Sequence, residues 1–328
     1  MADLRTTVTE VVTGVGMLGF DDVEAALAAR PHTLVGVGPD VWDALQRAWK
    51  EGVQRDVFLA SLMNGRAFLI ANDALRGRVP RLIEWKGAHR APGDEVVPVD
   101  LRVDHVYLVS CKYLSRIVLN ASPHHLFDRL LTGGHGRRSG DWFREVAPVE
   151  HDALYAHVWN PTLPREVTEL DTRQREALAR SLRAGWPADA SDCYRALAGR
   201  VAEVSARRWT TAIAGDREAM LWRLLRIGSA PYFVLGASGA GFVRLRIATP
   251  WDWRRTYELR EFEIGAKDGG QPIVTWRALV RDRAERDEST VAGHVEIRWS
   301  HGRFRAPPEA KVYLDTPATE VPGYFALQ

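Results

Sequence analysis

The spacing of apolar and polar positions divides the chain into a helical lead-in, a short strand cluster, a helical middle and a strand-rich remainder. Residues 1–40 read as the lead-in, with Phe20–Ala29 as one helix whose acidic first turn suits the helix dipole. Asp40 is placed to cap a second helix running to about Met63. Val41, Leu45, Trp49, Val53, Val57 and Ser61 fall near a 3.6-residue period there. Asn64-Gly65 reads as its end, and RAFLIA at 66–71 as a short buried strand or an extension of the helix.

From Arg81 the period changes to two. Arg81–Gly87 places Glu84 and Lys86 on one face of a strand. In Val99–His105, Asp100, Arg102 and Asp104 alternate with Leu101 and Val103. In the next strand Val106, Leu108, Ser110 and Lys112 share one face, and Tyr107, Val109 and Cys111 the other. The last two strands are expected to form a tight hairpin near Asp104. Ser115–Asn120 follows, and then a helix through Leu131 with Ser122 as cap and Pro123 at its first position.

Three helices are expected between 164 and 227: one from Pro164 to Gly185, one started at Ser191, and one capped by Asp216 and closed by Gly228. From Pro231 onward six strands (YFVLG, GFVRLRIAT, RTYELREFEI, PIVTWRALVRD, HVEIRWS and AKVYLDT) are separated by turns. No helical pattern lies between them, so antiparallel connections are expected. The fold class read from these patterns is α+β or α/β. It comprises an N-terminal α-β-β-β-α unit, a helical middle and an antiparallel β-rich C-terminal part, divided into domains at 1–150 and 151–328.

Two constellations carry candidate chemistry. The first is Glu84, Asp100, Asp104, Ser110 and Lys112. Carboxylates at one strand end beside a lysine can hold a divalent cation against a phosphate. Magnesium needs only a few carboxylates besides water and phosphate oxygens, and the ammonium can stabilise charge developing on phosphorus. The stretch 40–131 resembles the PD-(D/E)XK nucleases: a helix, a three-strand meander and a second helix, with Pro98-Val99-Asp100 on the second strand and Ser110-Cys111-Lys112 on the third. The resemblance implies a Mg²⁺-dependent endonuclease (Mn²⁺ as a substitute) acting on DNA more readily than RNA, of a restriction or phage-defence kind. It further implies Glu84, Asp100 and Asp104 as metal ligands and Lys112 as transition-state stabiliser. The chain departs from the family at Ser110, where a Glu or Asp is usual. Either Glu84 lends the missing carboxylate, or the motif is displaced to Glu84-Trp85-Lys86 with Asp73 upstream, or the copy is degenerate. A degenerate copy would serve as a nucleic-acid- or partner-binding subunit of a defence complex.

The second constellation is GHVEIRWSHGRFR. His294, Glu296 and Arg298 share a strand face, and Trp299, His301, Arg303 and Arg305 follow. Arginines would contact phosphate there and aromatic rings would stack on bases. The same strand could instead carry the site of a non-nuclease enzyme. The glycine-rich loop 132–140, with Arg137 and Arg138, could cradle a phosphate through backbone amides, although it lacks the spacing of a P-loop. Trp251, Trp253 and Trp276 could form a base pocket or sit in a core. His124-His125, with no carboxylate or cysteine partner at metal spacing, read as packing or surface. Ser115 and Ser122 have no His/Asp partnership for serine-hydrolase chemistry.

Composition changes little in this picture. The 328 residues are 46% apolar and 26% charged with a formal net charge of +2, so any nucleic-acid contact depends on where the arginines lie rather than on their sum. Cys111 and Cys193 form no CxxC pair, which points to no zinc knuckle and to the reducing cytoplasm. The N-terminus lacks a basic-then-apolar signal pattern and no apolar run is long enough for a bilayer, so no membrane partner is expected.

Overall fold

Strand pairing separates the protein into two units, each with its own sheet, in a computed structural model that describes residues 4–87, 99–113, 117–132, 140–238, 241–267 and 270–328. The chain begins with α1 (Leu4–Gly16), α2 (Val23–Ala29), β1 (Leu34–Val35), α3 (Pro39–Lys50) and α4 (Arg55–Ile70). It continues through β2 (Ile83–Trp85), β3 (Leu101–Val103), β4 (Tyr107–Tyr113) and β5 (Ile117–Ala121). The helical middle holds α5 (Pro123–Phe127), α6 (Trp142–Val146), α7 (Pro148–Val158), α8 (Thr172–Ser181), α9 (Ser191–Ala212) and α10 (Arg217–Leu225). Then come β6 (Tyr232–Ser238), β7 (Gly241–Ile247), α11 (Pro250–Thr256), β8 (Tyr257–Lys267) and β9 (Ile273–Asp282). The chain closes with β10 (Glu288–Arg298), β11 (Glu309–Leu314) and β12 (Tyr324–Ala326). The architecture is α+β.

The helix expected from Asp40 to Met63 is two helices. The chain turns between α3 and α4 through Gly52 (φ 73°) and Gln54 (φ 59°), both left-handed. RAFLIA is the final part of α4, so Gly65 does not stop the helix. It is instead the point where α1 and α4 approach: a Cβ there would meet the Thr13 carbonyl at 2.1 Å. The other caps behave as their chemistry dictates. The Asp22 side chain accepts from Ala25 N–H, and the Ser122 hydroxyl from His125 N–H. Asp171 and Gln174 form a reciprocal capping box at α8.

The first unit joins residues 1–116, 226–256 and 318–328. Its seven-stranded sheet runs β1-β2-β3-β4-β6-β7-β12. β2, β3 and β4 form an antiparallel meander, while β4 pairs parallel with β6. Val8, Val11 and Val15 of α1 and Phe58 and Phe68 of α4 bury one face of the sheet with Ile83, Leu101, Val103, Val109 and Phe233. Each such side chain contributes about 1.5–3 kcal/mol of transfer free energy. Period two then turns Glu84, Arg102, Ser110 and Lys112 to the other face.

The second unit joins 117–225 and 257–317, and its antiparallel sheet runs β5-β11-β10-β9-β8. α9 packs on β8 and β9 and carries α5, α6 and α7. The buried Trp142 indole donates to Ser205 Oγ at 2.9 Å, and Phe262 stacks on Trp276.

The sequential division into 1–150 and 151–328 is therefore corrected. β6 and β7 join β4, β12 returns to β7, and β5 pairs with β11, so each unit is assembled from separated segments. The helix expected after the meander is only five residues long and belongs to the second unit. Among the described residues no helix is long and apolar enough to cross a membrane.

Candidate functional site

The strand end at Asp100 is built by cross-strand register. Leu101 pairs with Val109, and Asp100, just before β3, donates its N–H to the Val109 carbonyl at 2.9 Å while its own carbonyl accepts from the Lys86 N–H at 3.0 Å. Ser110 and Lys112 share one face of β4. Asp100 Oδ2 accepts from Cys111 N–H at 2.7 Å and from Ser110 Oγ at 3.1 Å. Beside Lys112, β6 presents Gly236, where a Cβ would meet the Lys112 carbonyl at 2.2 Å.

The five residues expected to act together have different fates. Glu84 is bound by the Arg102 guanidinium at 2.5 and 2.9 Å, and that hydrogen bond holds its carboxyl below the usual range. Asp104 lies in the hairpin turn with φ 49°, followed by His105 at φ 59°. Its carboxylate accepts from Arg78 at 2.5 Å and from the Arg81 and Leu82 N–H groups at 2.8 and 3.0 Å. Burial raises the Asp104 carboxyl, but Arg78 and the two amides outweigh burial and hold it below the usual range. Ser110 is fully buried and holds Asp100 instead of facing a substrate. Among the described residues, neither Asp100 nor Lys112 has an ion-pair partner. Glu84, Asp100 and Asp104 do not form a three-ligand cluster either. Among the described residues the trio whose ligand atoms lie within 4.8 Å of one another is His124, Asp128 and Glu145, in the second unit.

That trio corrects the reading of His124 as lacking carboxylate partners. Asp128 stands one helical turn on, and Glu145 Oε2 is 2.5 Å from His124 Nε2. Arg208 already occupies the position a cation would take. It contacts Asp128 at 2.7 and 2.9 Å and Glu145 at 2.7 Å, and it lies over the Trp142 ring. Burial raises the Glu145 carboxyl, and the His124 and Arg208 hydrogen bonds outweigh burial and hold it low. A metal would have to displace the guanidinium.

The second constellation splits in two. On β10, His294 contacts Asp315 at 2.8 Å and stacks on Tyr313, and Arg298 pairs with Glu296 at 3.0 Å, so this face is neutralised within the protein. Beyond the strand, Trp299 packs against Phe143 and Phe304 and lines a cavity of about 830 Å³ with His301, Arg303, Arg305, Arg180 and Arg183. Arg137 and Arg138 lie outside the described residues. Trp253 and Trp276 are core residues, whereas Trp251 is exposed under Arg255, so the three tryptophans form no base pocket.

Family models, curated proteins and solved structures offer no match to this chain.

Several residues that shape these sites are not evident from local patterns. Tyr232 on β6 is buried, and burial pushes its hydroxyl up to about 12, against the pull of Arg226 and a hydrogen bond with Ser110. The strand pattern YFVLG contains it, but its contact with Ser110 joins segments far apart in the chain. Arg180 and Arg183 fall in the helix expected from Pro164 to Gly185, and only tertiary packing brings them to Arg303 and Arg305.

Proposed function

We propose that the protein is a nuclease-like enzyme that hydrolyses phosphodiester bonds in DNA with a divalent cation, Mg²⁺ or Mn²⁺, at the strand end formed by Asp100 and Lys112. One observation carries the reading. On a sheet face where Glu84 is paired with Arg102 and Asp104 is consumed by its turn, Asp100 and Lys112 have no ion-pair partner among the described residues. The antiparallel meander β2-β3-β4, which carries Lys112 and begins its second strand directly after Asp100, supports the reading.

The donor set fits Mg²⁺ sparingly. A single carboxylate suffices only when water and substrate phosphate oxygens complete the coordination, as is common for this ion. The cation would supply charge neutralisation and an activated water. The chain's own residues do the positioning. The Cys111 amide and the Ser110 hydroxyl fix one oxygen of Asp100, leaving the other for the ligand. The Lys112 ammonium neutralises charge that develops on the phosphoryl oxygens. Ser110 orients the carboxylate next to it in place of a second acid. A restriction or phage-defence role for such an enzyme belongs to the same proposal.

The test is Mg²⁺-dependent cleavage of plasmid DNA by the wild type, by Asp100→Asn and by Lys112→Ala, with thermal unfolding as the control for folding. Each variant is expected to lose at least about a hundredfold in rate, the scale of removing one transition-state donor. Full activity in both overturns the reading. The serine at position 110 and the spent Glu84 favour a second reading, a nuclease-like subunit that binds without cutting. Salt-dependent DNA binding with no cleavage in Mg²⁺ or Mn²⁺ would select it.

A further inference from the structure

Two cavities in the second unit share one side chain. The larger, about 830 Å³, is lined by Arg180 and Arg183, which flank the end of α8, and by His301, Arg303 and Arg305 after β10, with Glu176 as the sole carboxylate among the lining residues. The smaller, about 420 Å³, is lined by Trp186, Tyr194, Gln271 and again Arg303. Both volumes are in the range of small-ligand sites.

The charges in the larger cavity are not used up by the fold. Arg305 pairs with Glu176 at 3.0 Å, and the Arg180 guanidinium contacts the Glu176 carbonyl of its own helix and has no ion pair among the described residues. Arg183 is exposed and has no ion pair among the described residues. Arg303 donates to the Leu182 carbonyl and lies over the Trp186 ring at 4.4 Å, with no carboxylate partner among the described residues. Burial lowers its pKa, as expected for a guanidinium without a counterion. Trp186 in turn stacks on Tyr194, with ring centroids 4.8 Å apart. The result is a ladder of Tyr194, Trp186 and Arg303, with a concentrated positive field beside it.

We infer that these joined cavities bind a nucleotide carrying a phosphomonoester, its phosphate among Arg180, Arg183 and Arg305 and its base stacked on the outer face of the Arg303 guanidinium. Guanidinium forks match phosphate oxygens bidentately, and guanidinium planes are a recurrent platform for unpaired bases. The ligand can be a free nucleotide or the phosphorylated end of a strand. The inference deepens the nucleic-acid reading by naming a substrate feature, yet it needs neither Asp100 nor a metal.

The test measures binding by isothermal titration in EDTA, using the Asp100→Asn protein so that cleavage cannot intervene. The probes are thymidine 5′-monophosphate, thymidine, and eight-thymidine strands with a 5′-phosphate or a 5′-hydroxyl. The monophosphate is expected to bind at least tenfold tighter than thymidine. Arg183→Glu is expected to weaken the monophosphate at least tenfold while leaving the unfolding midpoint unchanged. If the phosphorylated strand binds tighter than the monophosphate, the source is a strand end; equal affinities indicate a free nucleotide, and both results support the inference. Equal binding of the monophosphate and thymidine, no binding of either, or no effect of Arg183→Glu overturns it. Binding as expected here, together with a wild type that fails to cleave DNA in Mg²⁺ or Mn²⁺, would retain this pocket and sink the nuclease reading alone.

Discussion

The sheet end of the first unit and the basic cavity of the second differ in how their charges are spent. Around β2 and β3 nearly every charged side chain has an internal partner: Glu84 with Arg102, and Asp104 with Arg78 and two backbone amides. Among the described residues Asp100 and Lys112 have no ion-pair partner, although Asp100 accepts from the Ser110 hydroxyl and the Cys111 N–H. In the cavity four guanidiniums face one carboxylate. A paired charge is part of the scaffold, and its removal should cost stability. An unpaired charge gains its partner only from a ligand, so its removal should cost binding and leave the fold intact.

The largest effect expected from this contrast is at Asp104. Asp104→Ala removes the acceptor for three donors and places alanine at φ 49°, which should cost about 3 kcal/mol in urea unfolding. Asp104→Asn tolerates the left-handed backbone and should cost much less. An alanine variant as stable as the wild type would break the contrast at its strongest point.

Arg102→Met comes next, at about 1 kcal/mol near neutral pH, the scale of a partly exposed ion pair. Its signature is the pH dependence. The Arg102 hydrogen bond holds the folded Glu84 carboxyl below its unfolded value. The stability it adds is therefore fully present above the ordinary carboxyl range and is lost as pH falls through the lowered folded value. Wild type and variant should converge in unfolding free energy on acidification. A constant gap down to pH 3 would show that the pair contributes through packing alone. The smallest effect is at Arg183. Arg183→Ala should change stability by no more than about 0.5 kcal/mol, and a larger loss would place that guanidinium in the scaffold after all.

The same contrast explains what could be read from the chain alone. Alternation puts Ser110 and Lys112 on one face of β4, because β-register follows the apolar set that packs under α1 and α4. Ser122 before Pro123 is also legible, since capping depends on two or three adjacent residues, whereas the helix expected from Pro164 starts only at Thr172 behind the Asp171 cap. What a carboxylate does after folding is not legible at that range. Asp104 looks like a metal ligand until the turn claims it, and Glu84 until Arg102 is found opposite it on β3. The convergence of Arg180 and Arg183 with Arg303 and Arg305 depends on contacts between distant segments, and a periodicity window cannot see it. The α3–α4 break was hidden because its apolar spacing continues across Gly52 and Gln54.

The parallel pairing of β4 with β6 has a consequence for how this protein must be made. As the polypeptide emerges from a ribosome, the edge of β4 that holds Lys112 stays unsatisfied while every helix of the second unit is synthesised, because its partner strand begins only at Tyr232. β12 joins the same sheet through β7. The first unit therefore closes only after both segments of the second unit have been made. Its exposed strand edge is the point at which crowding, mistranslation or truncation would divert the nascent chain into aggregates.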